Sequence, residues 1–316
     1  VERRIPHRIS SGVEQYTSLA ASAGGDRLAV TVANPKGTLW RVPISDQVAD
    51  ESAASRITLP TVRGASPRLG ANYLIFVSSK SGGGEGIWKL ADGAATELWS
   101  APEARIVGGP AIARDGRGIA FVVDERGRTR LYVMDDDGTN VRARTESLGV
   151  RGTPAWAPDG ASITVAANND GVPRLVTASP DGRSLVPLVS EYSTDPTWSP
   201  DGRFLVFSGP DVGTTFPVKA VTADGLPYPM PNLTLPRGAR RLGFLPDRRG
   251  LVVLRGEVEH KDFWLIDLEA GTERRLTNFG RGFNIKDFDV SRDGREIVFD
   301  RVQENSDIVL IDRRPR

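Results

Sequence analysis

Short apolar runs recur along the chain, and each follows a turn-forming segment by a few residues. Four of them begin at Ile119, Ile163, Leu205 and Ile297. Apolar runs of this length between turn formers are typical of buried β-strands. The pattern therefore predicts many short strands joined by tight turns.

The turns before these runs share a motif. The segment from Pro154 to Gly160 (PAWAPDG) recurs as that from Pro196 to Gly202 (PTWSPDG), and weaker copies end at Gly116 and Gly294. With degenerate copies included, the turn glycine or its replacement lies at positions 25, 71, 116, 160, 202, 248 and 294. A period of about 45 residues is typical of one four-stranded propeller blade.

Each repeat is interpreted as four strands, a to d. Strand a leads into the Asp-Gly turn, strand b is the apolar run, strand c is exemplified by Arg130–Met134, and strand d by Glu273–Thr277. Seven repeats account for the 316 residues. The predicted fold is all-β, a seven-bladed β-propeller of four-stranded antiparallel blades in a single domain over residues 1–316.

The two chain ends complement each other in this scheme. The last repeat ends after its strand c, Asp307–Ile311, and the first has a surplus strand, Glu2–Ile9, that resembles Glu273–Thr277. We expect the N-terminal strand to complete the last blade, because ring closure removes exposed sheet edges.

Composition narrows the functional classes. The 41 basic and 40 acidic residues leave a formal charge of +1, which disfavours nucleic-acid binding, and no apolar run is long enough for membrane insertion. Cysteine is absent, which excludes disulfides and a thiolate nucleophile. The chain begins at Val1 without a leader-like segment, so we expect a fragment or processed form of a longer protein.

The WSPDG run at Trp198–Gly202 and its copy at Trp156–Gly160 resemble the TolB-like (WD40-like, PD40) propeller repeat. The same motif occurs in the propellers of prolyl oligopeptidases, dipeptidyl peptidases and tricorn-type proteases. The segment from Phe288 to Asp312 is similar to the ends of propellers fused to bacterial Ser/Thr kinase or winged-helix regulator domains. The compartment stays open from the residues alone, and the resemblance favours an extracytoplasmic location over a cytoplasmic one.

Groups for catalysis are scarce. His7 and His260 are the two histidines, and both lie away from the predicted strands a. A Ser-His-Asp triad or a three-histidine zinc site therefore has no basis in the sequence. The Asp135–Asp137 cluster coincides with a turn between strands c and d, and is interpreted as a solvated turn. We predict neither a catalytic residue nor a cofactor.

Polar residues at the predicted starts of the strands a are the candidate site. Small residues at the next inner positions would leave a central channel open, and polar groups at its mouth would contact a ligand. The alternative is that they only hydrate the crowded axis. The candidate binding residues are Ser18, Thr153, Asp195, Arg241, Asp287 and Asp289.

Three functional hypotheses follow. The first is a monomeric, non-catalytic propeller, a sensory or scaffold domain of a larger bacterial protein, with a protein or peptide docked over one channel mouth. The second is a carboxylate- and metal-dependent hydrolase or lyase with axial calcium, or the propeller half of a peptidase. The third is a structural assembly module, which would require large apolar patches on the outer strands.

Overall fold

The computed structural model describes residues 15–33, 36–61, 63–79, 84–102, 104–145, 149–182, 184–238, 240–257, 260–303 and 306–312. Within these ranges the chain forms 30 β-strands and one 3-10 helix, η1 (Glu51–Ala53). The predicted all-β class is confirmed.

The strands of the first half are β1 (Gln15–Ala21), β2 (Arg27–Ala33), β3 (Lys36–Pro43), β4 (Ala49–Asp50), β5 (Ser55–Ile57), β6 (Ala65–Leu69), β7 (Leu74–Ser79), β8 (Glu85–Ala91), β9 (Ala94–Ser100), β10 (Arg105–Ile106), β11 (Ala111–Ile112), β12 (Gly118–Glu125), β13 (Arg128–Asp135) and β14 (Arg142–Ala143). Those of the second half are β15 (Gly149–Trp156), β16 (Ile163–Asn169), β17 (Val172–Ala178), β18 (Leu185–Pro187), β19 (Thr194–Trp198), β20 (Phe204–Ser208), β21 (Thr215–Thr222), β22 (Leu233–Pro236), β23 (Leu242–Phe244), β24 (Gly250–Glu257), β25 (His260–Asp267), β26 (Glu273–Arg275), β27 (Thr277–Asn278), β28 (Phe288–Val290), β29 (Glu296–Gln303) and β30 (Ser306–Asp312).

Five antiparallel sheets are formed by consecutive strands. Four of them have the orders β6-β7-β8-β9, β15-β16-β17-β18, β19-β20-β21-β22 and β23-β24-β25-β26. The fifth is β10-β12-β13-β14, in which β11 also pairs with β12, so that two short strands share the innermost position. The predicted a-to-d strand order within a repeat is therefore confirmed in these sheets.

The Asp-Gly turns adopt the predicted geometry. Gly160 has a φ of 72° and open space around it, which explains the glycine in a left-handed conformation. The preceding Asp159 accepts a hydrogen bond from the amide of Ala161 at 2.9 Å, and Asp115 does the same for Arg117. Such aspartate-capped turns set the start of the next strand.

A sixth sheet combines the two halves of the chain, and here the structure corrects the predicted strand assignment. Its order is β28-β29-β3-β5. The third and fourth strands are thus β3 and β5, in place of Asp307–Ile311 and the N-terminal strand. Leu39 and Val42 of β3 are fully buried, which gives the physical reason for this pairing. The predicted closing strand Glu2–Ile9 lies outside the described residues.

Of the remaining strands, β4 pairs with β27, and β1, β2 and β30 form a three-stranded sheet, here called the terminal sheet. Its β2–β30 pairing keeps the register of β3–β29, since paired residue numbers add to 339 in both, as for Ala33 with Ser306 and Lys36 with Gln303. Leu19, Ile308 and Leu310 are exposed in this sheet. Among the described residues, the first and last repeats therefore form no separate four-stranded blade.

The hydrophobic core lies between neighbouring sheets. Phe263 of β25 packs edge-on against Phe288 and Phe299 of the next sheet, with ring centroids 5.1 and 5.3 Å apart. The run Ile119–Val123 of β12 is fully buried throughout. Apolar residues on both faces of a strand are expected where a sheet is covered on both sides. Sheets stacked face to face in this way position their first strands toward a common interior.

Candidate functional site

Two cavities lie among the first strands of these sheets. One has a volume of about 390 Å³ and opens where those strands begin; it is here called the strand-start cavity. The other, of about 530 Å³, opens beside the Asp-Gly turns and is here called the turn-side cavity. Pro196, Thr197 and Arg241 line both, so the two cavities meet at these residues.

The structure brings together five of the six predicted residues. Thr153, Asp195, Arg241 and Asp287 line the strand-start cavity, and Asp289 lines the turn-side cavity beside Arg241. The side chains are brought together because they lie on, or just before, the first strands of neighbouring sheets.

Ser18 does not join them. It lies on β1 in the terminal sheet, where its Oγ is 2.6 Å from Oγ1 of Thr31 on β2. The repeat spacing placed β1 among the inner strands, but β2 pairs with β30, and β29 is completed by β3. The structure therefore does not bring Ser18 to either of the two cavities.

A buried ion pair anchors the centre of the site. Arg68 donates to both carboxylate oxygens of Asp287, from Nη1 to Oδ1 at 3.1 Å and from Nη2 to Oδ2 at 2.9 Å. The side chain of Arg68 is only 3% exposed, and its Nε has no hydrogen-bond partner among the residues that the structure describes. A two-point contact of this kind fixes both side chains.

Sequence reasoning missed Arg68 because one turn is shorter in its repeat. The amide of Gly70 bonds to Tyr73 O, whereas that of Ala113 bonds to Gly118 O, two residues farther along the chain. Arg68 consequently occupies the inner position of Ala111 in another repeat. Anchoring the alignment on the turn or on β7 gives the same offset of 45 residues, so only the two-residue shortening of the turn reveals Arg68.

Arg241 bridges the carboxylates at the meeting point of the cavities. Its Nε donates to the carbonyl of Phe288 at 3.1 Å, and its guanidinium lies 3.6 Å from one oxygen each of Asp287 and Asp289. Burial, followed by the charge of Arg68, lowers the pKa of Arg241, while the two carboxylates act in the opposite direction. The other oxygen of Asp289 accepts from the amide of Leu69 at 2.8 Å.

Asp300 lies behind this group and was also missed, because it belongs to β29 and not to a first strand. Its Oδ1 accepts from the amides of Lys286 and Asp287 at 2.8 and 3.0 Å, and its Oδ2 accepts from that of Ser66 at 3.2 Å. Full burial, followed by the charge of Asp287, raises the pKa of Asp300 to about 6. This carboxyl joins the last and first of the stacked sheets.

Asp195 has the surroundings expected of a functional carboxylate. It adopts a left-handed conformation with a φ of 53°, which is unfavourable for most residues but tolerated by aspartate. Burial raises its pKa, while a hydrogen bond from Thr194 and the charges of Arg240 and Arg241 lower it. Among the described residues it forms no salt bridge. A strained, desolvated carboxylate that lines a cavity is available to an incoming donor.

The wall residues fix the remaining geometry. Oγ1 of Thr153 accepts from the amide of Gly109 at 2.9 Å. Trp198 of the turn-side cavity donates to Oγ1 of Thr164 in the neighbouring sheet at 3.1 Å. This tryptophan packs against the core between two sheets and also lines the cavity.

Metal sites and membrane spans were the other features considered for the described part of the chain, and it has neither of the two kinds defined below. No group of three or more His, Cys, Asp or Glu residues there is arranged to hold a metal ion. No helix in these ranges is long and apolar enough to cross a membrane.

Curated relatives match short stretches of the chain. Dipeptidyl-peptidase 5 of Porphyromonas endodontalis is 26% identical over 110 residues, which cover 32% of this chain and 16% of the relative. The Tol-Pal system protein TolB of Anaeromyxobacter dehalogenans is 30% identical over 108 residues, which cover 34% of this chain and 25% of the relative. The matches thus span a quarter or less of these relatives.

Solved structures match a much larger share of this chain. A structure described as putative TolB from Agrobacterium tumefaciens superimposes with a TM-score of 0.62 at 17% identity, over 85% of this chain and 99% of that one. An oligogalacturonate lyase in complex with manganese matches at 0.53 with 12% identity, over 92% and 96%. At such identities the likeness establishes the fold alone.

A family model agrees with the TolB structure. Residues 72–225 match the TolB beta propeller domain, PD40. These residues contain the two strongest copies of the turn motif, which end at Gly160 and Gly202. Over these residues the chain is therefore similar to TolB-like β-propellers of the PD40 type.

Proposed function

We propose that this propeller is a non-catalytic binding domain and that a protein or peptide partner docks over the strand-start cavity. The observation that carries the proposal is Asp195, a desolvated carboxylate in a left-handed conformation beside Arg240 and Arg241. A donor from a partner would replace the water that this carboxylate has lost. The gain would be largest for a backbone or side-chain N–H directed into the cavity.

The domain organisation belongs to the same proposal. First strands lie in contact in the order β6, β11, β15, β19, β23 and β28, and β28 in turn lies against β6. These contacts support a ring of six blades closed by β3 and β5, in place of the seven predicted from the repeat period. A closed ring supplies a rigid frame on which loops around a mouth keep their positions.

The setting is also inferred. Since the chain spans a quarter or less of its curated relatives, we infer that it serves as a sensory or scaffold domain of a larger bacterial protein. Its likeness to a Tol-Pal system protein supports an extracytoplasmic location.

The test uses the substitution Asp195→Asn, which keeps the side-chain shape and suits the left-handed backbone. The partner is first identified by cross-linking in the host to the full-length protein. We expect its affinity for the purified variant to fall about tenfold or more, as for loss of a charge-assisted hydrogen bond. Asp170→Asn is the matched control, because Asp170 has a φ of 54° but is exposed and lines neither cavity. Equal affinities of wild type and Asp195→Asn would show that the partner binds elsewhere on the protein.

An enzyme remains the alternative, as a carboxylate- and metal-dependent hydrolase or lyase, or the propeller half of a peptidase. The likeness to the lyase structure and the carboxylates Asp195, Asp287 and Asp289 favour it. The guanidinium groups of Arg68 and Arg241 beside two of these carboxylates act against a cation. Stoichiometric calcium or manganese in the purified protein, lost in Asp289→Asn, would favour the enzyme.

A further inference from the structure

The turn-side cavity has walls suited to the apolar parts of a chain molecule. Two indole rings, a phenyl ring and several prolines line it on the side of three successive sheets. These residues are Trp156, Trp198, Phe244, Pro154, Pro158, Pro196, Pro200 and Pro246. Rigid rings of this kind contribute contact area at a small entropic cost, because few torsions are immobilised when a ligand binds.

Charge is distributed unevenly in this cavity. At its floor the cations Arg68 and Arg241 face Asp287 and Asp289, so charges there are balanced. At its rim Arg114 and Arg292 are exposed, and within the described ranges neither forms a salt bridge. Nη1 of Arg114 donates to the carbonyl of Pro200 two repeats away, which holds this guanidinium across the opening. The rim therefore carries a surplus of positive charge.

A shallow groove of about 550 Å³ continues outward from the rim. It shares Arg114 and three prolines with the cavity, so the two volumes are joined. Its own charged residues include Asp159 and Asp247, besides Asp201, which pairs with Arg248 at 2.8 Å. A basic rim thus leads into a zone where Asp159 and Asp247 form no salt bridge with any described residue. The joined space therefore continues from the cavity out to the surface.

We propose that the turn-side cavity binds an extended peptide with an acidic side chain placed between Arg114 and Arg292. The apolar stem of that residue lies against the indole and proline walls, and the chain leaves through the groove. Two guanidinium groups at the mouth offer planar donor pairs that match a carboxylate. The inference rests on the proposed binding function but places this ligand at the opposite mouth from Asp195.

The experiment measures tryptophan fluorescence during titration of the purified protein. The probes are three hexapeptides in which glycine alternates with glutamate, lysine or glutamine. We expect the glutamate peptide to bind about tenfold or more tightly than the other two, and to weaken when salt rises to about 0.5 M. The variant Arg114→Ala with Arg292→Ala should weaken the glutamate peptide about fivefold or more, because both rim cations are lost.

Arg117→Ala is the matched control. Arg117 is exposed in the same turn as Arg114 but does not line the cavity, so its removal should leave the affinity unchanged. Equal binding of the glutamate and glutamine peptides, or no loss in the double variant, would overturn the proposal. A short galacturonate oligomer serves as a further probe. If this oligomer binds and the glutamate peptide does not, the ligand of the turn-side cavity is a sugar acid and not a peptide.

The variant Asp195→Asn distinguishes binding at the strand-start cavity from binding at the turn-side cavity. It should leave binding of the glutamate peptide unchanged, since Asp195 does not line the turn-side cavity. Loss of partner binding in Asp195→Asn with no glutamate-peptide binding in wild type would reject this inference and retain the proposed function. Unchanged partner binding in Asp195→Asn, together with tight glutamate-peptide binding in wild type, would reject the proposed site and retain the turn-side cavity.

Discussion

Among single residues, Asp300 has the environment with the clearest energetic consequence. Its carboxyl is fully buried and accepts three backbone hydrogen bonds, and burial beside Asp287 raises its pKa to about 6 from the ordinary 3.8. Between these two values the folded protein binds more protons than the unfolded chain. The free energy of unfolding must therefore fall as the pH rises from about 4 to about 6, by about 3 kcal/mol from this group.

We predict that Asp300→Asn removes this part of the pH dependence. The amide does not titrate, so the plot of unfolding free energy against pH should become flatter between about pH 4 and 6. Urea denaturation of wild type and variant at several pH values measures the slopes.

The exposed Asp170 supplies the comparison, since Asp170→Asn should leave the slope as in wild type. A slope unchanged in Asp300→Asn would show that other groups set the acid-range stability.

Part of the site was predictable at this scale and part was not. Asp195, Arg241 and Asp287 were found because they occupy one repeat position, seven residues before the turn glycine or its replacement. Arg68 was missed because a shortened turn shifts its repeat, and Asp300 because a charged residue in an apolar strand gives no repeat signal. The role of Asp300 depends on which strand its carboxyl faces, and here that strand is β6, through the amide of Ser66.

Among the structural elements, the contact of β29 with the N-terminal part of the chain depends on Arg301. Its guanidinium packs over the rings of Trp40 at 4.0 Å, Phe283 at 4.1 Å and Phe279 at 4.9 Å, and pairs with Glu51 of η1. Burial lowers the pKa of Arg301, and the Glu51 carboxylate opposes this shift. A planar cation among aromatic faces is stabilised by the rings' negative electrostatic potential.

We predict that Arg301→Lys lowers the unfolding free energy by about 1–2 kcal/mol, because an ammonium group keeps the charge but loses planar stacking on the rings. Equilibrium denaturation at neutral pH measures the change.

Arg295→Lys is the control, because its side chain is 86% exposed and its weak contact with Asp293 should contribute little. Equal losses in the two variants would contradict a special role for the ring contacts.

The choice of partner for β29 could not be predicted from the sequence. Both β3 and β30 are apolar strands of similar length, and either satisfies the hydrogen bonds of β29. The structure selects β3, whose Leu39 is fully buried, and leaves Ile308 of β30 78% exposed. The difference arises from packing against the next sheet, which a strand pattern does not encode.

For the whole molecule, the sixth sheet makes the fold depend on both halves of the chain. β3 and β5 complete the sheet that β28 and β29 begin, and β4 pairs in parallel with β27. Loss of β3 would leave β29 as an unpaired edge and expose Phe299 and Val298.

We therefore predict opposite outcomes for two truncations. A chain that ends at Gln303 should keep a cooperative thermal transition, because the six stacked sheets lose no strand. A chain that begins at Ala49 lacks β3 and should aggregate, since an apolar edge becomes free.

Gel filtration and calorimetry of both chains measure the difference. A soluble, cooperatively unfolding chain from Ala49 onward would show that β3 is dispensable.

The register of the ladder between β3 and β29 has a mechanical consequence. Lys36 lies opposite Gln303, so the segments that run on toward the two termini leave the ladder at the same end. Hydrogen bonds between antiparallel strands lie across the strands. Once the β2–β30 pairs that continue this ladder toward Arg27 and Asp312 have separated, tension would load the β3–β29 bonds one pair at a time, from Lys36 toward Pro43, and would not shear them together. If both ends of the domain were tethered, these strands would separate pair by pair at low force.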